Sequence, residues 1–227
     1  MLRDPSLIPL SHQHHNGLAL CVMMRRSLAA DASPQGYRAE LGIPADAVVV
    51  LYAGSLGSKQ GIELLAEAAR LLICSHGIHF VFCGNGPSRA SLMDACVRLA
   101  NTHFLDLQPA ERFNELLGMA DIHVLPQRAD AADLVMPSKL GGMFASGRAV
   151  IVTAHAGTAL SEAVWGRGVV VEPGDAAALA DAIEQLSMSP ATRDLLGSAG
   201  RRFAEEELDR DTILLRLEEE LQRCIAR

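Results

Sequence analysis

The segment Asp133-Leu134-Val135-Met136-Pro137-Ser138-Lys139-Leu140, running on into Gly141-Gly142, holds the residue types that grip an anion. Pro137 suits the first turn of a helix, where its missing N–H would find no partner in any case. Ser138 and Lys139 then fall where free backbone N–H groups and the positive end of the helix dipole favour negative charge. A hydroxyl and an ammonium added to that terminus make a cradle for a diphosphate. The same residues also fit an ordinary proline-started helix with a solvated lysine, and spacing alone leaves both readings open.

Two glycine-rich turns support the first reading. Gly54-Ser55-Leu56-Gly57-Ser58-Lys59-Gln60-Gly61 follows the apolar run 48–53, and Cys83-Gly84-Asn85-Gly86-Pro87 follows the run 78–83. Glycines at strand ends let backbone approach a ligand, and open parallel sheets bind ligands at that edge. Neither turn is a phosphate-binding loop of known consensus, so each also reads as a simple turn.

These segments need a scaffold, and the pattern beyond residue 47 supplies one. Apolar runs at Val48–Ala53, Ile78–Cys83, Thr102–Leu105, Asp121–Leu125, Ala149–Thr153 and Gly168–Val171 read as strands covered on both faces. Amphipathic stretches alternate with them near 62–74, 89–100, 111–119, 138–145 and 176–186. The fold class is therefore α/β, a doubly wound, mostly parallel sheet. Two further helices, about 192–206 and 210–225, close the chain. In the last, Leu214, Leu217, Leu221 and Ile225 form an apolar stripe beside Glu218, Glu219 and Glu220. It either packs on its own sheet or docks onto a partner.

Composition bounds the reading. At 227 residues the chain has room for one α/β domain and an appendage. Its formal charge of -7 disfavours a broad nucleic-acid footprint. Five cysteines without a C-x-x-C pair suggest reduced thiols and a cytoplasmic location. The apolar run Gly17–Met24 is far below the roughly 20 residues that span a bilayer.

Taken in order, the motifs resemble the C-terminal, nucleotide-sugar-binding, Rossmann-like half of GT-B glycosyltransferases of family 4, the colanic-acid-biosynthesis type above all. RAELGIPADAVVVLYAGSLGSKQGIELL, CGNGP, ELLGMADIHVLPQ, DLVMPSKLGGMFASGRAVIVTA and VVVEPGDAAALADAI carry the likeness over residues 36–227. The resemblance implies a donor diphosphate against Gly54, Ser55, Gly57, Lys59, Gln60, Pro137, Ser138, Lys139 and Leu140. It implies the base or ribose against Gly84, Asn85, Gly86, Leu105, Leu107 and Gly142, with Lys139 and Asp133 in catalytic roles. The chain departs from the family pattern at Ser55, where relatives carry arginine, and at Gln60, where they carry lysine. The two carboxylates of the family's E-x7-E motif fall at Leu134 and Gly142. Asp133 or Asp130 would supply the first from the loop, whereas glycine supplies no acceptor for the second.

Residues 1–35 read as a separate helical appendage, with a helix over about 10–30. RDPSLIPLSHQHHNGLALCV resembles the first helix of bacterial hemerythrin-like proteins, in which His14 would be one ligand of a di-iron site. Such a site needs ligands from three more bundle helices, and the remaining histidines lie in or beside the strands, so no metal is expected.

The resemblance thus implies transfer of a sugar from a UDP- or GDP-sugar to an acceptor in cell-surface polysaccharide synthesis, with retention and without metal or other cofactor. An acceptor-binding half normally precedes this one. A partner domain, or a homodimer through the exposed cleft, is expected to complete it, and peripheral membrane association stays open. A non-catalytic nucleotide-sugar-binding module is the alternative reading, and a hemerythrin-like iron protein the remote one.

Overall fold

The structure, a computed structural model, describes residues 35–75, 77–131, 137–208 and 210–225. The expected helix over 10–30, with its histidines, lies outside them. A short helix α1 (Gln35–Glu40) leads into six strands: β1 (Val48–Ala53), β2 (Ile78–Cys83), β3 (Thr102–Leu105), β4 (Ile122–Leu125), β5 (Ala149–Thr153) and β6 (Val169–Val171). They pair in the order β3-β2-β1-β4-β5-β6, and every pairing is parallel. The order reverses between β1 and β4, so the chain has a topological switch point there.

Both faces of the sheet are covered, which is why the strands read as continuous apolar runs. On one face Tyr52, Phe80, Phe82, Val124 and Ile151 pack under α2 (Glu63–Leu71), α3 (Arg89–Cys96) and a later helix, α7 (Ala176–Met188). On the other, Val49, Leu51 and Val81 pack under α1 and α4 (Phe113–Gly118). The β4–β6 half of that face lies under α5 (Lys139–Ala145), α6 (Ala159–Val164) and α8 (Pro190–Glu207). Burying each Leu, Val or Phe contributes roughly 1.5–3 kcal/mol, which makes these layers the main stabilising term.

The helix α8 matters to the site because it backs α5. A Cβ on Gly200 would stand 2.7 Å from the Phe144 ring, so the two helices meet closely only because residue 200 is glycine. Phe144 and Phe203 meet edge to face at 5.9 Å, and Arg201 donates to the Ala145 carbonyl at 3.0 Å.

Three expectations change. The helix expected over 89–100 stops at Cys96, because buried Asn101 donates to the Ala69 carbonyl and starts β3 against α2. The helix α6 was not expected, although Thr158 caps it by accepting from the Ser161 N–H at 3.3 Å. In the last helix, α9 (Arg210–Ile225), two members of the expected stripe are not buried on the sheet: Leu214 and Leu221 are 40% and 55% exposed. Among the described residues no helix is long and apolar enough to cross a membrane.

Candidate functional site

All six strands are parallel, so their C-terminal ends share one edge, and the switch point opens between the loops after β1 and β4. Lys139, the first residue of α5, crosses this opening. Its ammonium donates to the Tyr52 hydroxyl at 3.0 Å and stands 4.7 Å from the centre of that ring. Its stem lies across Gly54, where a Cβ would overlap the Lys139 Cε and Nζ. No carboxylate among the described residues pairs with it. Burial, which penalises the charged form, holds Lys139 below the usual lysine range. A half-buried cation without a counter-charge among the described residues is set up to receive an anion.

Tyr52 was not anticipated. It sits at the end of β1, 1% exposed, and its hydroxyl donates to the Ser55 carbonyl at 2.5 Å. Burial pushes its proton affinity up, so the hydroxyl stays neutral beside the ammonium.

The two glycine turns lie together at this edge and are bonded to each other. The Gly54 N–H donates to the Cys83 carbonyl, the Leu56 N–H to Asn85 and the Ser88 N–H to Leu56, at 2.8, 3.0 and 2.9 Å. Gly84, with φ +141°, extends the ladder by donating to the Leu105 carbonyl at 3.0 Å. A Cβ on Gly84 would overlap the Gly54 carbonyl oxygen, and one on Gly86 would overlap that of Leu56. These two glycines are therefore required by the approach of loop to loop, and that packing cause was not visible in the sequence. Gly57 differs, since a Cβ there would meet only the flexible Gln60 side chain, 2.6 Å from Oε1. Ser55 is exposed on the same loop, and Lys59 lies in the short 3-10 turn Ser58–Gln60.

On the β4 side the loop is clamped by fully buried Thr153. Its hydroxyl accepts from the Gln127 N–H at 2.7 Å and donates to the Gln127 carbonyl at 2.8 Å. The Arg128 stem lies beside Gly61, joining this loop to the one after β1, and its guanidinium pairs with Asp130 at 2.9 Å. Asp133 and Leu134 lie outside the described residues.

The other expected site residues are placed as follows. Ser138 is exposed and makes no capping bond. Leu140 faces the apolar core, 3% exposed, and its N–H donates to the Pro137 carbonyl, so its side chain is held away from the opening. A Cβ at Gly142 would point at Leu117 of α4, 3.6 Å from Cδ1. Asn85 and Leu107 are exposed beyond β2 and β3, and Leu105 is half-buried at the end of β3. Arg89 pairs with Asp106 at 3.1 Å beside them. His155 and Glu172, at the ends of β5 and β6, are hydrogen-bonded at the same edge. No group of three metal-ligating side chains occurs among the described residues.

The chain is similar to known glycosyltransferases. The family described as glycosyl transferases group 1 matches residues 47–189. The Escherichia coli K12 protein WcaI, named as a putative colanic acid biosynthesis glycosyl transferase, is 35% identical over 190 residues, 82% of this chain and 46% of its own length. The chain thus spans about half the length of that relative. Anabaena Alr3699/HepE, solved in complex with UDP, superposes with a TM-score of 0.73 at 20% identity, over 85% of this chain and 53% of that one. Sucrose-phosphate synthase from Thermosynechococcus elongatus gives 0.71 at 24% identity, over 88% and 51%. The chain belongs to the group 1 glycosyl transferases and has the fold of the C-terminal domain of their GT-B architecture.

Proposed function

We propose that this domain binds the donor of a glycosyltransferase, a UDP- or GDP-sugar, whose sugar passes to an acceptor in cell-surface polysaccharide synthesis on the cytoplasmic side. The observation that carries the reading is Lys139, a half-buried ammonium at the switch point with no carboxylate partner among the described residues. A diphosphate would supply the missing charge. As the glycosidic bond to the donor breaks, negative charge grows on the departing diphosphate, and a fixed ammonium stabilises that growth. Gly54, Ser55, Gly57, Lys59 and Gln60 would line the diphosphate from the β1 loop, with Pro137 and Ser138 at the start of α5. Gly84, Asn85, Gly86, Leu105 and Leu107 would face the base or ribose. Retention without metal, and completion by an acceptor-binding partner domain, belong to the same reading.

Calorimetry with UDP, GDP, ADP and their sugars tests it. One base is expected to bind, and Lys139→Met is expected to weaken it by about 10- to 100-fold, the worth of one hydrogen bond to a charged group. Failure of every nucleotide to bind would overturn the reading. A second reading, a non-catalytic nucleotide-sugar module, is favoured by Gly142, which offers no carboxylate. Released nucleotide in the presence of a lipid-linked acceptor separates the two.

A further inference from the structure

We propose that Tyr52 is a positioning residue of the donor site, whose hydroxyl fixes where the Lys139 ammonium stands and ties that place to the loop after β1. The inference rests on the reading of Lys139 as the ammonium that meets the diphosphate.

The Tyr52 ring belongs to the apolar layer with Leu56 and Phe82, and phenylalanine would fill the same space. What phenylalanine lacks is the hydroxyl, and that group has two partners 87 and 3 residues away in sequence. A hydroxyl has one proton to donate. Here it goes to the Ser55 carbonyl, so a lone pair is left for Lys139 and the ammonium must approach from that side. Ser55 is the first residue after Gly54, so the loop and the ammonium are held in register through a single oxygen.

The lysine needs such a hold. Its four-carbon stem has rotamer entropy to lose, and no carboxylate among the described residues restrains it. The ring face at 4.7 Å, the hydroxyl at 3.0 Å and the bare backbone of Gly54 replace that restraint. One of the three ammonium protons is spent on Tyr52, which leaves two for a ligand. Among the described residues the titratable group in contact with the ammonium is Tyr52 itself, which stays neutral; on the adjoining loops Arg128 is turned to Asp130, with Glu63 near it.

The test compares wild type, Tyr52→Phe and Lys139→Met in the chain as it exists. Binding of UDP, GDP, ADP and inorganic pyrophosphate is measured by calorimetry, and the Lys139 side chain is titrated by NMR. Tyr52→Phe is expected to keep the wild-type Tm within a few degrees and to lose about tenfold in affinity. Its Lys139 is expected to give up its proton at lower pH, because an acceptor of the charged form is gone. Should Tyr52→Phe fail to fold, 3-fluorotyrosine labelling replaces it. It touches only the two tyrosines of the chain, Tyr37 and Tyr52, and weakens the oxygen as an acceptor, with the same direction of shift expected. An unchanged Lys139 titration in the altered protein would overturn the inference. If Lys139→Met binds nucleotide like wild type, the donor reading falls, while the NMR titration still decides the role of Tyr52.

Discussion

Gly84 lies so close to Gly54 that any side chain on the first would overlap the carbonyl oxygen of the second. The contact is backbone against backbone, so neither partner can rotate away, and the φ of +141° at Gly84 adds strain for any other residue. Gly84→Ala is expected to cost on the order of 2–4 kcal/mol and to push the loop after β1 outward, weakening nucleotide binding as well. Gly57→Ala is the control, since its neighbour is the movable end of Gln60, and it should stay within about 1 kcal/mol of wild type. Urea denaturation of the two variants measures the difference. Equal stabilities would show that the loops do not depend on this approach.

His123 predicts an acid limit to stability. It is fully buried on β4, its Nε2 stands 3.0 Å from the Ser146 hydroxyl, and burial, with Arg148 nearby, pulls it from 6.5 down to about 3. Between those values the unfolded chain binds a proton that the folded chain refuses. Stability therefore rises with pH across the window and is lost as pH falls below about 6.5. The slope is about 1.4 kcal/mol per pH unit in the middle of the window. His79 and His103, whose rings meet at 3.0 Å and which burial also lowers, act in the same direction. His123→Gln keeps a group for Ser146 and cannot titrate. Denaturation at pH 7, 6 and 5 should show its stability falling less steeply than wild type, by one proton's worth.

The α/β alternation, four of the six strand boundaries and the family were legible in the sequence because parallel strands buried on both faces leave unbroken apolar runs. What escaped was decided at long range. Tyr52 and Lys139 are 87 residues apart, and nothing local marks a strand-end tyrosine as the partner of a helix-start lysine. The Thr153 clamp on Gln127 likewise joins two strand ends that become neighbours only when β5 pairs with β4. Gly84 and Gly86 were legible as special positions, read either as a ligand approach or as simple turns, but the loop that packs on them comes from 30 residues away and left no local mark. For α6 the signal was present, since Thr158 three residues before Ser161 is an N-cap pattern.

The pair Arg38–Asp121 is expected to be the costliest ion pair to break. The guanidinium reaches Asp121 at 2.7 Å and also donates to the Met119 and Ala47 carbonyls, while the same carboxylate oxygen accepts from the Val49 N–H. Both side chains are mostly buried, 13% and 21% exposed, so removing one strands the other's partners out of reach of water. Asp121→Ala should cost about 2–3 kcal/mol, against less than about 1 kcal/mol for Glu205→Ala in the exposed pair with Arg201. A thermal-melt comparison of the two alanine variants checks the ratio, and similar losses would mean that burial does not set the value of these pairs.

The helix α9 exposes Leu214, Leu215 and Leu221, at 40%, 58% and 55%. Apolar side chains clustered on one exposed helix tend to be covered by another surface, because each Leu kept in water forgoes roughly 1.5–3 kcal/mol of burial. The chain on its own is therefore expected to self-associate in a concentration-dependent way. Leu214→Ser combined with Leu221→Ser should shift sedimentation velocity profiles towards monomer. The same double change should alter the Tm little, since neither side chain lies in the sheet's apolar layers. A monomeric wild-type chain at high concentration would remove α9 as an association surface. A large drop in Tm for the double variant would mean instead that the helix is held against its own domain.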